Sequence, residues 1–90
     1  MNNEKKQVLQ LLKTAKGQID ATIRMLEDER YCMDISNQII ASGALLKKAN
    51  MLLLKQHMEH CVLEAFEHGN DKEKQIKIEE VISILSKIAD

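Results

Sequence analysis

The chain is poor in residues that break helices and in aromatic side chains. Its 90 residues contain no proline, three glycines, no tryptophan and two aromatic residues, Tyr31 and Phe66. A chain of this length forms one small domain at most, so we expect residues 1–90 to be a single domain. The remaining composition is rich in good helix formers, which predicts an all-α fold and argues against an all-β sandwich. Two aromatic rings also give almost no stacking surface for single-stranded RNA.

The chain also lacks an excess of charge and a long hydrophobic run. Thirteen basic and 14 acidic residues give a formal charge of −1, so any DNA binding must come from local patches. The longest uninterrupted apolar run is Met51–Leu54, whereas a membrane span needs about 20 residues. The first residues show no apolar stretch typical of a secretory signal. We therefore expect a cytoplasmic protein with no membrane contact.

Apolar spacing predicts three helices. The first runs from about residue 4 to about residue 28, where a charged cluster ends it, and Asp34 or the residues just before it cap the second. The second continues for about ten turns to Gly69, a predicted C′ glycine. A short third helix starts near Asp71. The apolar positions are Val8, Leu12, Ala15, Ile19, Ile23 and Leu26 in the first, Ile35, Ile39, Leu46, Ala49, Leu53, His57, Cys61 and Ala65 in the second, and Ile78, Val81, Ile82, Leu85 and Ile88 in the third.

Helices of such unequal length do not close a compact monomer, because the second extends beyond the reach of the third. Leucines at positions 45, 46 and 52–54 spread apolar surface over more than one face of the second helix. This pattern predicts self-association through that helix. The alternative is that some of these leucines are simply exposed.

Two cysteines and one histidine form a candidate metal site. His57 and Cys61 are four residues apart, so their β-carbons lie about 5 to 6 Å apart on a helix, although such a pair is also common in ordinary cores. Cys32 would lie about 40 Å from Cys61 along one straight helix. An antiparallel dimer instead brings Cys32 of one chain to His57 and Cys61 of the other, giving two equivalent sites.

The chemistry of these donors favours a soft ion. A reducing cytoplasm keeps thiols free, and two thiolates with one imidazole suit Cu(I), whereas Zn(II) requires a fourth ligand. His60 points about 100° away from Cys61 on a helix and His68 lies further off, so neither is expected to bind the same ion.

The chain contains the segments Gly17-Gln18-Ile19, Arg24–Asp28, Arg30-Tyr31-Cys32, Asp34-Ile35, Gln38-Ile39 and His57–Val62. Through these segments the sequence resembles the copper-sensing operon repressor family over nearly its whole length. The resemblance implies an all-helical dimer of dimers, with trigonal Cu(I) bound across each dimer interface by Cys32, His57 and Cys61, and with operator DNA released on metal binding. Nickel and cobalt sensors of the family carry histidine where Cys61 stands, and persulfide sensors lack the histidine.

The resemblance also implies residues beyond the ligands. Tyr31 matches a position that hydrogen-bonds near the metal site, with plain packing as the alternative. Glu80, or else Glu79, corresponds to an acidic residue of the third helix that would orient His57.

The DNA-binding positions depart from the family pattern, because Thr14, Asp20 and Gly43 stand where arginines are usual. Lysines are left to contact phosphate, and we expect Lys13, Lys16, Lys47 and Lys48 to do so. The sequence therefore predicts a Cu(I)-responsive repressor acting as a homodimer or homotetramer. A cytoplasmic Cu(I) buffer or chaperone without operator binding, and a thiol or persulfide sensor, stay as alternatives. No acid, base and nucleophile converge, so an enzyme is not expected.

Overall fold

The computed structural model describes residues 1–89, and these residues form helices joined by short connections. Helix α1 spans Asn3–Glu27 and α2 spans Cys32–His57. A five-residue π-helical segment, Met58–Val62, follows directly, and we call it the π turn. Helix α3 spans Leu63–His68 and α4 spans Asp71–Ala89. The all-α prediction is confirmed: α2, the π turn and α3 together make the long second helix, and α4, at 19 residues, is the shorter third.

The chain divides into two compact units, one comprising Met1–Met51 and the other beginning at Leu52. The first unit contains α1 and most of α2. The second contains the end of α2, the π turn, α3 and α4. Within residues 1–89, no helix has the length and apolar character that crossing a membrane requires.

Hydrogen bonds made by neighbouring residues cap both ends of helix α1. At its start the Lys5 N–H donates to the Asn2 side chain at 2.8 Å, which satisfies one backbone donor of the first turn. At its end the Arg30 N–H donates to the Met25 carbonyl at 3.0 Å, and Glu29 has φ 55°. A left-handed residue followed by this long-range bond is a Schellman motif, a common helix end.

Helix α2 starts earlier than the sequence predicted. The Tyr31 carbonyl accepts from the N–H groups of Asp34 and Ile35, at 3.0 and 3.2 Å, so Cys32 is the first helical residue. Asp34 is therefore not a cap. It lies in the first turn, where its negative charge faces the positive end of the helix dipole.

Buried positions in the first unit repeat every seven residues. Val8 and Ala15 are buried on α1, and Ile35, Ser42 and Ala49 are buried on α2. Seven residues are close to two helical turns, so each set follows one line along its helix. The larger members of the apolar stripe predicted for α1 are exposed in the protomer: Leu12, Ile19, Ile23 and Leu26.

In the second unit, α4 packs against both the π turn and α3. The corner between α3 and α4 depends on Gly69, whose N–H donates to the Ala65 carbonyl at 2.8 Å. The predicted end of the second helix at Gly69 is confirmed, since α3 ends at His68, but no glycine has a positive φ among the described residues. Gly69 is needed for space instead: a β-carbon there would lie 2.6 Å from the Ala65 carbonyl oxygen. Asn70 then caps α4 by accepting from the Glu73 N–H at 2.8 Å.

Candidate metal centre

Cys32 and Tyr31 lie at the point where α2 begins. Cys32 is the first residue of the helix, and its thiol is free and exposed. Tyr31 precedes the helix, and its ring is exposed. The exposure of both side chains leaves them available to a neighbouring molecule, and Tyr31 does not serve as a buried packing aromatic in this chain.

His57 and Cys61 lie at the other end of α2. His57 is the last α-helical residue and is half-buried, whereas Cys61 lies in the π turn with a free, exposed thiol. The sequence predicted that both would share one α-helix, and this is corrected by the structure. The Leu63 N–H donates to the Met58 carbonyl, five residues back, so the hydrogen-bond register changes between the two donors.

The other histidines do not join these donors in the described part of the chain. His60 is exposed beside Cys61. His68, at the end of α3, has its Nε2 3.8 Å from Glu67 Oε2.

The two candidate glutamates of α4 have partners on their own helix. Glu80 Oε2 lies 3.2 Å from the Lys77 ammonium, and Glu79 Oε1 accepts a hydrogen bond from Gln75 Nε2 at 3.0 Å. Both carboxylates are exposed. That Glu80, or else Glu79, orients His57 therefore stays a prediction.

The donor set has the chemistry of a soft-metal site. Two free thiols can ionise and bind a soft cation, and imidazole nitrogen is compatible with the same ions. Carboxylate, the donor typical of harder cations, is absent from the three predicted ligands. The residues present therefore fit Cu(I).

Comparison with known proteins identifies the family. A family model described as metal-sensitive transcriptional repressor matches residues 4–87. The chain belongs to this family of metal-sensitive transcriptional repressors. The resemblance seen in the sequence is thereby confirmed, and so is the prediction that the chain is not an enzyme, since the family consists of repressors.

Curated members of the family are similar over most of the chain. The copper-sensing transcriptional repressor CsoR of Mycobacterium ulcerans is 38% identical over 82 residues, covering 91% of this chain and 68% of that protein. CsoR of Bacillus subtilis is 35% identical over 86 residues, covering 96% and 82%. The chain spans 64% of the length of CsoR from Mycobacterium tuberculosis.

A solved structure of the family has the same fold. The crystal structure of the copper-sensing repressor CsoR with Cu(I) from Geobacillus thermodenitrificans matches with a TM-score of 0.87 and 32% identity. The match covers 100% of this chain and 92% of that one.

The lysines predicted to contact DNA are exposed on α1 and α2, the first two helices of this family member. Lys13 and Lys16 lie on α1, and Lys47 and Lys48 lie on α2. The three positions where the resemblance implies arginine, Thr14, Asp20 and Gly43, lie within four residues of these lysines in the sequence. The Thr14 hydroxyl donates to the Gln10 carbonyl at 2.9 Å, Asp20 is exposed, and a β-carbon on Gly43 would meet no atom within 4 Å.

Sequence reasoning missed the π turn and two buried polar side chains. Ser42 and Gln56 are buried on α2, and the Ser42 hydroxyl and the Gln56 amide oxygen have no hydrogen-bond partner within the described chain. Both belong to a seven-residue spacing that runs from Ile35 through Ala49 to Gln56, but a search for apolar residues alone does not find it.

Proposed function

We propose that this protein is a Cu(I)-responsive transcriptional repressor that binds operator DNA without metal and leaves it when Cu(I) is bound. The observation that carries the proposal is the set of three soft donors, Cys32, His57 and Cys61, in a chain that is similar throughout to a CsoR crystallised with Cu(I). The protein would act in the cytoplasm as a single domain spanning residues 1–90.

In this proposal the metal site forms between subunits. Cys32 of one protomer would bind with His57 and Cys61 of its partner, because an antiparallel dimer brings opposite ends of the long helix together. Bound Cu(I) would supply a cationic centre that joins thiolates and imidazole from two chains. Tyr31 and Glu80 are proposed to orient these ligands by hydrogen bonds.

Exposed apolar surface supports the homodimer or homotetramer. On α1, Leu12, Ile19 and Leu26 are seven residues apart and are 44, 41 and 67% exposed. A second set on α2 repeats with the same period: Ile39, Leu46 and Leu53 are 59, 42 and 45% exposed. Apolar residues that repeat every seven positions and are exposed in one protomer are typical of helices that pack against helices of another chain.

Oligomerisation can be tested on the α1 set. Replacing Ile19 by Glu places a charge where we propose a subunit contact, and it should dissociate the oligomer seen by native mass spectrometry. The matched control is Asp20→Glu, since Asp20 is exposed but outside the repeat. An oligomer that survives Ile19→Glu unchanged contradicts this interface.

DNA binding is proposed to rest on Lys13, Lys16, Lys47 and Lys48. Replacing Lys13 and Lys16 together by Gln should weaken operator binding and reduce the salt slope by about 2, roughly one unit for each lost phosphate contact. Replacing Lys72 and Lys87 together by Gln, on α4, is the control of equal charge change. Equal effects of the α1 and α4 variants would contradict the assignment.

Regulation follows from linkage between the two ligands. Cu(I) must bind free protein more tightly than DNA-bound protein, and DNA must then weaken Cu(I) by the same factor. Measuring Cu(I) affinity with and without saturating operator tests this, because equal affinities would leave no coupling.

Two alternatives rest on particular residues. Thr14, Asp20 and Gly43, where family members usually carry arginine, favour a Cu(I) buffer or chaperone that has lost operator binding. Copper-reversible operator binding would exclude it. The exposed thiols of Cys32 and Cys61 favour a persulfide sensor. That sensor would respond to sulfane sulfur even after His57→Ala, whereas a copper sensor loses its response.

A further inference from the structure

Positive charge is concentrated in the first part of α1. Residues 1–19 contain four lysines and one acidic residue, Glu4, whereas residues 20–30 contain four acidic residues and two arginines. All four lysines are exposed, and Glu4 is half-buried. We call these four residues the lysine stripe: Lys5, Lys6, Lys13 and Lys16. The formal charge of −1 on the whole chain therefore conceals a local excess of positive charge.

The lysine stripe lies on one side of α1. Successive residues of an α-helix are about 100° apart, so the four lysines fall within an arc of about 100° and extend over about 16 Å. Asp20 falls within the same arc, one turn beyond Lys16. The buried residues Val8 and Ala15 lie outside that arc. The lysine stripe therefore faces away from the packed side of the helix, and the exposed carboxylate of Asp20 follows it.

These charged groups are not neutralised by ion pairs within the protomer. Among residues 1–89, the ion pairs of the structure involve other side chains, and neither the lysine stripe nor Asp20 takes part in one. Lys16 and Asp20 are four residues apart, a spacing at which opposite charges on a helix can pair. Because no such pair forms, the four ammonium groups are available to a polyanion, and the Asp20 carboxylate repels it.

We propose that the whole lysine stripe lies along the phosphates of duplex DNA and that the Asp20 carboxylate limits the strength of this contact. Phosphates follow one another at about 3.4 Å along each strand, so a stripe of about 16 Å spans about five of them. The inference rests on the proposed operator binding. It adds Lys5 and Lys6 to the phosphate contacts and gives Asp20 the role of weakening them.

A weaker contact with DNA has a consequence for regulation. Cu(I) that binds free protein better than DNA-bound protein draws the protein off the operator, and less Cu(I) is needed when DNA holds the protein less tightly. Asp20 therefore lowers the Cu(I) concentration at which the protein leaves DNA.

The first test removes the two added lysine charges. Lys5 and Lys6 are replaced together by Gln, and binding of the reduced, metal-free protein to fluorescent DNA is measured by anisotropy over a series of salt concentrations. The DNA is the region upstream of its own gene and an unrelated duplex of equal length. We expect binding to both to weaken about tenfold at about 0.1 M salt and the salt slope to fall by about 2, because phosphate contacts carry no sequence information. The control of equal charge change is the Lys72 and Lys87 pair on α4.

The second test removes the negative charge. Asp20→Asn should bind both duplexes about threefold more tightly at about 0.1 M salt, and the gain should vanish near 1 M salt, where the Debye length is only about 3 Å. Release from the operator should then require more Cu(I), while the Cu(I) affinity of the free protein stays that of wild type. Glu64→Gln, at an exposed position on α3, is the control of equal charge change. A misfolded variant cannot imitate this result, because the expected change is a gain of affinity.

The outcomes separate this inference from the function on which it rests. An unchanged salt slope in the Lys5 and Lys6 variant, or Asp20→Asn binding no more tightly than wild type, overturns the inference and leaves operator binding intact. Equal changes in the control variants overturn it as well, because net charge and not the lysine stripe would then set the affinity. A wild-type protein that binds neither duplex contradicts the proposed function and the inference together.

Discussion

Replacement of Gly69 by alanine tests the close corner between α3 and α4. The added β-carbon would lie 2.5 Å from Glu73 Oε2 and 2.6 Å from the Ala65 carbonyl oxygen. The carboxylate is the end of a flexible side chain and can turn away, but the carbonyl belongs to the backbone of α3 and must shift. Such overpacking costs about 1–3 kcal/mol, and the reduced freedom of the unfolded chain returns about 0.4–1 kcal/mol. We expect a net loss of about 1–2 kcal/mol.

Thermal unfolding followed by far-UV circular dichroism measures this loss. Each kcal/mol shifts the Tm of a chain this size by about 4–8 °C, and protein concentrations must be matched because subunit association adds to stability. The same substitution at Gly17, where a β-carbon would meet no atom within 4 Å, should instead stabilise by about 0.5–1 kcal/mol. A Gly69→Ala protein at least as stable as wild type would refute the reasoning.

Three further predictions concern α1, α4 and the ligands. Glu29→Gly should stabilise by about 1 kcal/mol in urea unfolding, because glycine adopts the left-handed conformation at φ 55° without steric cost. Asn70→Ala should destabilise by about 1 kcal/mol in the same assay through loss of the α4 cap, and Asn70→Asp should not. Cys32→Ala, His57→Ala and Cys61→Ala should each abolish tight Cu(I) binding in chelator competition while far-UV circular dichroism stays that of wild type.

Each of these predictions has a clear contrary result. A Glu29→Gly protein less stable than wild type would show that position 29 gains nothing from glycine. Equal losses from Asn70→Ala and Asn70→Asp would mean that the side-chain oxygen does not cap α4. Unchanged Cu(I) affinity in all three ligand variants would contradict the proposal that these residues bind Cu(I).

Helix positions were predictable because apolar periodicity and helix-ending residues act locally. The first helix begins and ends within about one residue of the predicted bounds, the third begins at Asp71 as predicted, and Asn70 precedes α4 as a capping residue should. The start of α2 was predicted less well. Its first turn uses the backbone carbonyl of Tyr31, which every residue type provides and which leaves no mark in the sequence.

The assignment of buried faces was not predictable from hydrophobicity. Apolar residues on α1 form two neighbouring lines, and the one with smaller residues, Val8 and Ala15, is buried within the protomer. The line containing Leu12 and Ile19 is exposed. A sequence pattern reports that a face avoids water, but it does not say whether the same chain or another subunit covers it.

The candidate ligands can be chosen from the sequence by their chemistry, and their role stays a prediction, whereas the local backbone between them could not be predicted. Thiols and imidazole are soft donors wherever they lie, so Cys32, His57 and Cys61 stand out by chemistry. In the sequence, His57, Cys61 and Ala65 are four residues apart, as on an ordinary α-helix, so their spacing does not reveal the π turn. The hydrogen bond from the Leu63 N–H to the Met58 carbonyl closes this turn and α4 packs on it, and both belong to the folded structure.

The central claim is that this protein binds operator DNA and that Cu(I) releases it. Anaerobic fluorescence anisotropy, with reduced metal-free protein titrated into DNA from upstream of its own gene, tests this directly before and after addition of one Cu(I) per protomer. The account predicts salt-sensitive binding that Cu(I) abolishes. Absence of binding by the metal-free protein, or binding that Cu(I) leaves unchanged, would contradict it.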